Sequence, residues 1–150
     1  MTDRFEQLLS QLGPYFALKL HSDKVGACTI AINSHTKIQL QLDLSLENLF
    51  LFSKIIALPP GKFRENVLKD ALKANGLPDP LPGILSYLPT TNHLTLYQSY
   101  PASILNGERL AGLVGAFLEM AENWHNAVLG GQSSPLPSRT LPVEPFGLAP

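Results

Sequence analysis

The stretch Lys37-Ile38-Gln39-Leu40-Gln41-Leu42-Asp43-Leu44, with Asn48-Leu49-Phe50-Leu51-Phe52-Ser53-Lys54-Ile55-Ile56-Ala57-Leu58 soon after it, decides the reading of the fold. In the first segment Ile38, Leu40, Leu42 and Leu44 alternate with Lys37, Gln39, Gln41 and Asp43. Successive side chains of a strand point to opposite faces, so this is an antiparallel strand with one face on a core and the other in water. The second segment breaks that rule. Leu49, Leu51 and Ile55 share one face, yet Phe50, Phe52 and Ile56 occupy the other, the one that Lys37, Gln39 and Gln41 mark as outward. Such an apolar surplus has two readings: another helix covers it, or it forms an exposed groove for a partner.

Upstream, residues 27–32 alternate as a strand, with Cys28, Ile30 and Ile32 on one side, and Asn33-Ser34-His35-Thr36 makes the turn. A first helix precedes it. Asp3 caps it, Glu6 completes the capping-box spacing, Phe5, Leu8, Leu9 and Leu12 share a face, and Gly13-Pro14 stops it. Downstream, Pro59-Pro60-Gly61 breaks the sheet, and residues 62–75 read as a helix with Phe63, Val67, Leu68, Ala71 and Leu72 on a broad stripe. After a proline-rich link come strands at 83–88 and 93–100, joined by Pro89-Thr90-Thr91-Asn92. Asn106 caps a last helix in which Leu110, Val114, Phe117, Ala121, Trp124 and Val128 recur at helical spacing. The order α-β-β-β-α-β-β-α predicts an α+β fold, an antiparallel sheet flanked by helices. Residues 1–128 form its one domain, and 129–150, with five prolines and three glycines and no periodicity, read as a disordered tail.

Only 15% of the 150 residues are charged and 45% are hydrophobic. The charged share is low against a typical ~25%, which favours an adhesive surface or an oligomer. A net charge of −1 with scattered basic residues offers no footprint for nucleic acid or an anionic membrane. The single cysteine fits a reducing cytosol. Charges of both signs at the start argue against a signal peptide, and no apolar run is long enough for a membrane helix.

The candidates for chemistry are weak. Cys28 sits in mid-strand with no activating neighbour in sequence and reads as a buried structural thiol. His21, His35, His93 and His125 fall far apart, without metal-ligand spacing, and read as surface histidines. Gly107, Gly112 and Gly115 lie inside a helix and read as close-packing positions, not a phosphate loop. No carboxylate lies in an apolar run that would tune it for acid–base work. No catalytic residue, metal or cofactor is expected, so the chain reads as a binding protein rather than an enzyme.

Several segments together resemble a known family. They are helix 1 ending in Leu12-Gly13, the Ser22-Asp23-Lys24-Val25-Gly26 turn, Ile38-Gln39-Leu40-Gln41-Leu42, Leu49-Phe50-Leu51-Phe52-Ser53 leading to Leu58-Pro59, and the final amphipathic helix. Over roughly residues 3–128 the chain resembles the class I chaperones of type III secretion systems, the Tir-chaperone or CesT-like family. The resemblance implies a bacterial cytosolic homodimer that binds the extended N-terminal segment of secreted effector proteins without ATP or a cofactor. It also implies contact with the secretion ATPase. The family's cargo grooves point to Leu8, Leu12, Phe16, Phe50, Phe52 and Ile56. Its dimer contacts point to Phe63, Val67, Ala71, Ile84 and Tyr87. The chain departs from the family in its near-neutral charge and its proline-rich tail. Two other functions fit the same element order: an α+β adaptor for a folded partner, and a hot-dog-type thioesterase, for which no convincing catalytic Asp or Glu is present.

Overall fold

A computed structural model of the chain describes residues 4–43, 47–79 and 81–135. Asp3, Leu44 and residues 136–150 of the expected tail lie outside them. The described elements are α1 (Arg4–Leu12), β1 (Ala27–Ala31), β2 (Lys37–Leu42), β3 (Asn48–Ala57), α2 (Lys62–Asn75), β4 (Ile84–Leu88), β5 (His93–Pro101) and α3 (Gly107–Leu129). The five strands form one antiparallel sheet in the order β1-β2-β3-β5-β4. The fold is therefore the α+β one expected, with β3 at the centre.

Alternation sets which side of the sheet is buried. In β2, Ile38 and Leu40 are fully buried while Lys37, Gln39 and Gln41 are exposed. Leu49 and Leu51 of β3 and Leu94 and Leu96 of β5 join them against the helices. Facing them are Phe5, Leu8, Leu9 and Leu12 of α1 and Leu110, Val114, Phe117, Ala121, Trp124 and Val128 of α3, the stripes their spacing predicts. Burying a large aliphatic or aromatic side chain contributes roughly 1.5–3 kcal/mol, so this shared layer dominates the stability. The buried polar side chains Thr36, Ser53 and Thr95 all have partners, namely Glu122, the Lys37 carbonyl at 2.6 Å and Ser86 at 2.6 Å. That is the usual condition for burying a hydroxyl.

One local contact is added and two readings change. The carboxylate of Glu6 accepts hydrogen bonds from the Ser22 backbone N–H (2.7 Å) and hydroxyl (2.6 Å), so it ties α1 to the loop before β1. On α2 the buried positions are Val67, Ala71 and Ala74, whereas Leu72 stands 70% exposed, so the apolar stripe is wider than the face that packs. Of the three glycines in α3, only Gly107 is a close-packing position. A Cβ there would lie 2.5 Å from Gln11 of α1, whose side chain accepts the Gly107 N–H at 2.9 Å, while Gly112 and Gly115 face open space.

Candidate partner-binding face

The surplus residues of β3 lie where the sheet turns away from α1 and α3. Phe52 stands opposite Gln39 on one side and Tyr97 on the other, and Tyr97 stands opposite Ile84 of β4. Directly opposed residues of antiparallel strands put their side chains on the same face. A row Gln39–Phe52–Tyr97–Ile84 therefore crosses four strands, with Phe50 beside it, between Gln41 and Ser99. Phe50 and Tyr97 are each 42% exposed and Ile84 is 40% exposed, while Phe52 is half-buried. Of the two readings of the surplus, cover by a helix is not what is seen, since no helix among the described residues buries the row. At its β2 end lies a depression of about 200 Å³, bounded by Thr29, His35, Lys37, Phe52 and Lys54.

Not every expected cargo residue reaches this face. Leu8 and Leu12 are completely buried between α1 and the rest of the core and present nothing to a partner. The reason is that α1 has one apolar face and the core takes all of it. Phe16, in the turn that follows α1, is half-buried. Ile56 leaves the outward face because a bulge between Lys54 and Ile56 shifts the register, pairing Ile56 with buried Leu94 and packing it on the core. Tyr97 is a member that sequence reasoning missed. The alternation of Leu94 and Leu96 with Thr95, Tyr97 and Ser99 was the signal that could have found it.

Among the expected dimer residues, Val67 and Ala71 are buried within the chain, because α2 spends that face on β4 and the core. Phe63 and Ile84 are exposed. Tyr87 is half-buried, and its hydroxyl accepts from Arg64 at 2.9 Å while the guanidinium lies over its ring.

The two edges of the sheet differ. At the β4 edge the Asn75 side-chain amide, at the end of α2, takes both outward groups of Leu85: it accepts its N–H at 2.9 Å and donates to its carbonyl at 2.8 Å. At the β1 edge the Asp23 carboxylate accepts the Ala27 N–H at 3.0 Å, and the Asp23 N–H donates to the Ala27 carbonyl at 2.7 Å. Ile32 bonds Thr36 across the hairpin, so by alternation the backbone groups of Thr29 and Ala31 point away from β2. That part of the edge is open to an extended chain.

The histidines are not all isolated. His35, in the β1–β2 turn, stacks on His125 of α3 with ring centroids 4.0 Å apart, and His125 Nδ1 lies 2.9 Å from the Ile55 carbonyl. Glu122 accepts from the Thr36 hydroxyl and lies 3.1 Å from His35 Nε2. The Thr36 hydrogen bond is the main cause that holds the Glu122 carboxyl below its ordinary value. Sequence could not pair these residues, since some 90 positions separate the rings. Burial pushes the Cys28 thiol up, which disfavours the nucleophilic thiolate. Among the described residues no cluster of His, Cys, Asp and Glu could hold a metal ion, and no helix is long and apolar enough to cross a membrane.

Residues 7–125 match the model of the Tir chaperone protein (CesT) family. No curated protein matches the chain in sequence. Among solved structures, the fold is similar to that of the Yersinia pestis type III secretion chaperone SycH in complex with a stable fragment of YscM2, with TM-score 0.62 and 16% identity over 78% of this chain and 96% of that one. It is also similar to a chain of the ExsC–ExsE complex (TM-score 0.66, 20% identity, 84% of this chain and 94% of that one). A third likeness is to a chain of the HopA1–SchA chaperone–effector complex (TM-score 0.61, 20% identity, 85% and 100%). At these identities the likeness is one of fold.

Proposed function

The chain belongs to the Tir chaperone protein (CesT) family, and we propose that it is a type III secretion chaperone for effector proteins. In this reading it binds the extended N-terminal segment of an effector in the bacterial cytosol and keeps that segment non-globular until export. The observation that carries the reading is the row of exposed Phe50 and Tyr97 with half-buried Phe52, on a sheet whose β1 edge is open at Thr29 and Ala31. An added strand draws affinity from main-chain hydrogen bonds whatever its sequence, and apolar pockets for alternate side chains add selectivity. Ordering a disordered cargo costs entropy, so a wide apolar contact is needed to offset it. The role is one of binding and uses no cofactor. The solved relatives named above, held in complexes with their partners, support the same reading.

The test is a double variant, Phe50→Ser with Phe52→Gln, titrated with the N-terminal segment of an effector encoded beside the gene. Interface aromatics typically account for ≥ ~2 kcal/mol each, so affinity should fall by at least tenfold while the thermal midpoint stays near wild type. Wild-type affinity in a folded variant would remove the row from the cargo site. Binding to a folded partner, with no response to any isolated effector segment, would favour an adaptor instead.

We further propose that the protein acts as a two-fold dimer through the outer face of α2, where Leu72 stands exposed. A standard interface of about 1,600 Å² needs such an apolar centre. Leu72→Asp should shift the species seen by light scattering from dimer to monomer at micromolar concentration. A wild-type protein that runs as a monomer would end this part of the reading.

A further inference from the structure

Between α2, α3 and the link before β4 lies an open pocket of about 230 Å³, walled mainly by Ala74, Leu77, Leu81, Met120, Trp124 and Pro135, with Glu119 and Asn123 also lining it. It shares no wall residue with the cargo row. We propose that this cavity is the docking site of the chain's own C-terminal segment, residues 136–150, entered first by Leu136.

The course of the chain after α3 points to that occupant. The backbone N–H groups of Gly130, Gly131 and Gln132 bond back to the carbonyls of Asn126, Val128 and Ala127 at 3.0, 3.0 and 2.8 Å. Gly131, at φ 90°, takes the left-handed conformation that reverses the chain. Ser133 then donates its hydroxyl to the Asp70 carboxylate on α2, and Pro135 forms part of the cavity wall. Leu136 follows within one Cα step, about 3.8 Å. On the other side of Pro135 the surface is lined by Asn126, Ala127 and Gln132, with Asn123 shared between the two sides.

The chemistry of the segment fits the walls. It carries Leu136, Leu141, Val143, Phe146 and Leu148, and its charges are Arg139 and Glu144 alone. Prolines at 137, 142, 145 and 150 restrict its unbound conformations, so less entropy is lost when it docks. The absence of helical or strand periodicity, which reads as disorder in a free chain, is no obstacle to lying in a cavity one side chain at a time.

Trp124 is the only tryptophan in the protein and forms one wall, so its fluorescence reads the cavity directly. In the full chain, Leu136→Asp should red-shift Trp124 emission and raise its acrylamide quenching constant, with the far-UV circular dichroism unchanged. Leu136→Met should leave both readings at wild type. A synthetic peptide of residues 136–150, added to the Leu136→Asp protein, should restore the shielding. Should the aspartate variant lose helicity, Leu136→Ser supplies the same readings. Identical emission and quenching in wild type and folded variant would overturn the proposal and leave the cavity to another occupant. Shielding that vanishes when wild type is diluted would also overturn it, by showing that the segment comes from a second copy.

Discussion

Leu51 and Phe52 are neighbours on β3 and do opposite things. Leu51 is fully buried against the helices, while Phe52 lies on the other face in a row that no helix among the described residues buries. The same backbone therefore holds a core on one side and an adhesive strip on the other, and β3 can do both because it is the central strand with hydrogen-bonded neighbours at both edges. Apolar character on the two faces of one strand usually means that both are covered within the domain, as in a parallel sheet with helices on each side. Here the helices pack on one face, and the second face carries the binding role proposed above.

The sharpest test of that division is stability. Leu51→Ala should cost about 2–5 kcal/mol, since a buried aliphatic truncation loses transfer energy and leaves a cavity. The Phe50/Phe52 double variant should stay within roughly 0.5 kcal/mol of wild type per site, as for ordinary surface changes. Urea melts of the two proteins decide the matter. Equal destabilisation would mean that the outward face is covered as well and that the comparison fails.

The second difference lies between the edges. Asn75 seals Leu85 at the β4 edge, whereas Thr29 and Ala31 keep outward backbone groups at the β1 edge. Proline is tolerated on an edge strand when its missing N–H would have faced outward. Thr29→Pro should thus leave the melt nearly unchanged and weaken an effector segment that adds to this edge, by about 1 kcal/mol for the lost hydrogen bond. Unaltered affinity in a folded Thr29→Pro protein would assign recognition to the face alone.

How far these differences could be read beforehand follows the physics. The β2 alternation and the spacing in α3 are local patterns, and both elements fall where that spacing predicts, including the buried set of Ile38, Leu40, Leu110 and Val114. Phe50 and Phe52 were legible for the same reason. Ile56 was not, because a bulge moves one residue's direction without any signature in composition. Leu8 and Leu12 were misplaced because amphipathic periodicity tells that a helix has an apolar side and not what covers it. The α2 stripe met the same limit, with Val67 and Ala71 turned inward and Leu72 left outside. The Asn75–Leu85 seal and the His35–His125 stack join residues distant in sequence, which no single-sequence pattern relates.

The smallest expected effect concerns the place where the β1–β2 turn meets α3. The Thr36 hydroxyl on the Glu122 carboxylate is the main reason that this carboxyl sits below its ordinary value, with the bond to His35 adding to it. A carboxyl whose folded value is depressed contributes stability that is present above its unfolded value. That stability is lost as pH falls through the folded value. Unfolded glutamate titrates near about 4.3, so the contribution should be whole at neutral pH and fade below that point. Thr36→Val keeps the shape and removes the donor. Near pH 7 the variant should be less stable than wild type, and the gap between their melting curves should narrow as the solution is taken from pH 5 downward. Glu122 is a third exposed, so water screens the interaction and the gap should be modest. A gap that stays constant from pH 7 to acid would show that the hydroxyl acts through packing and leaves the charge of Glu122 untouched.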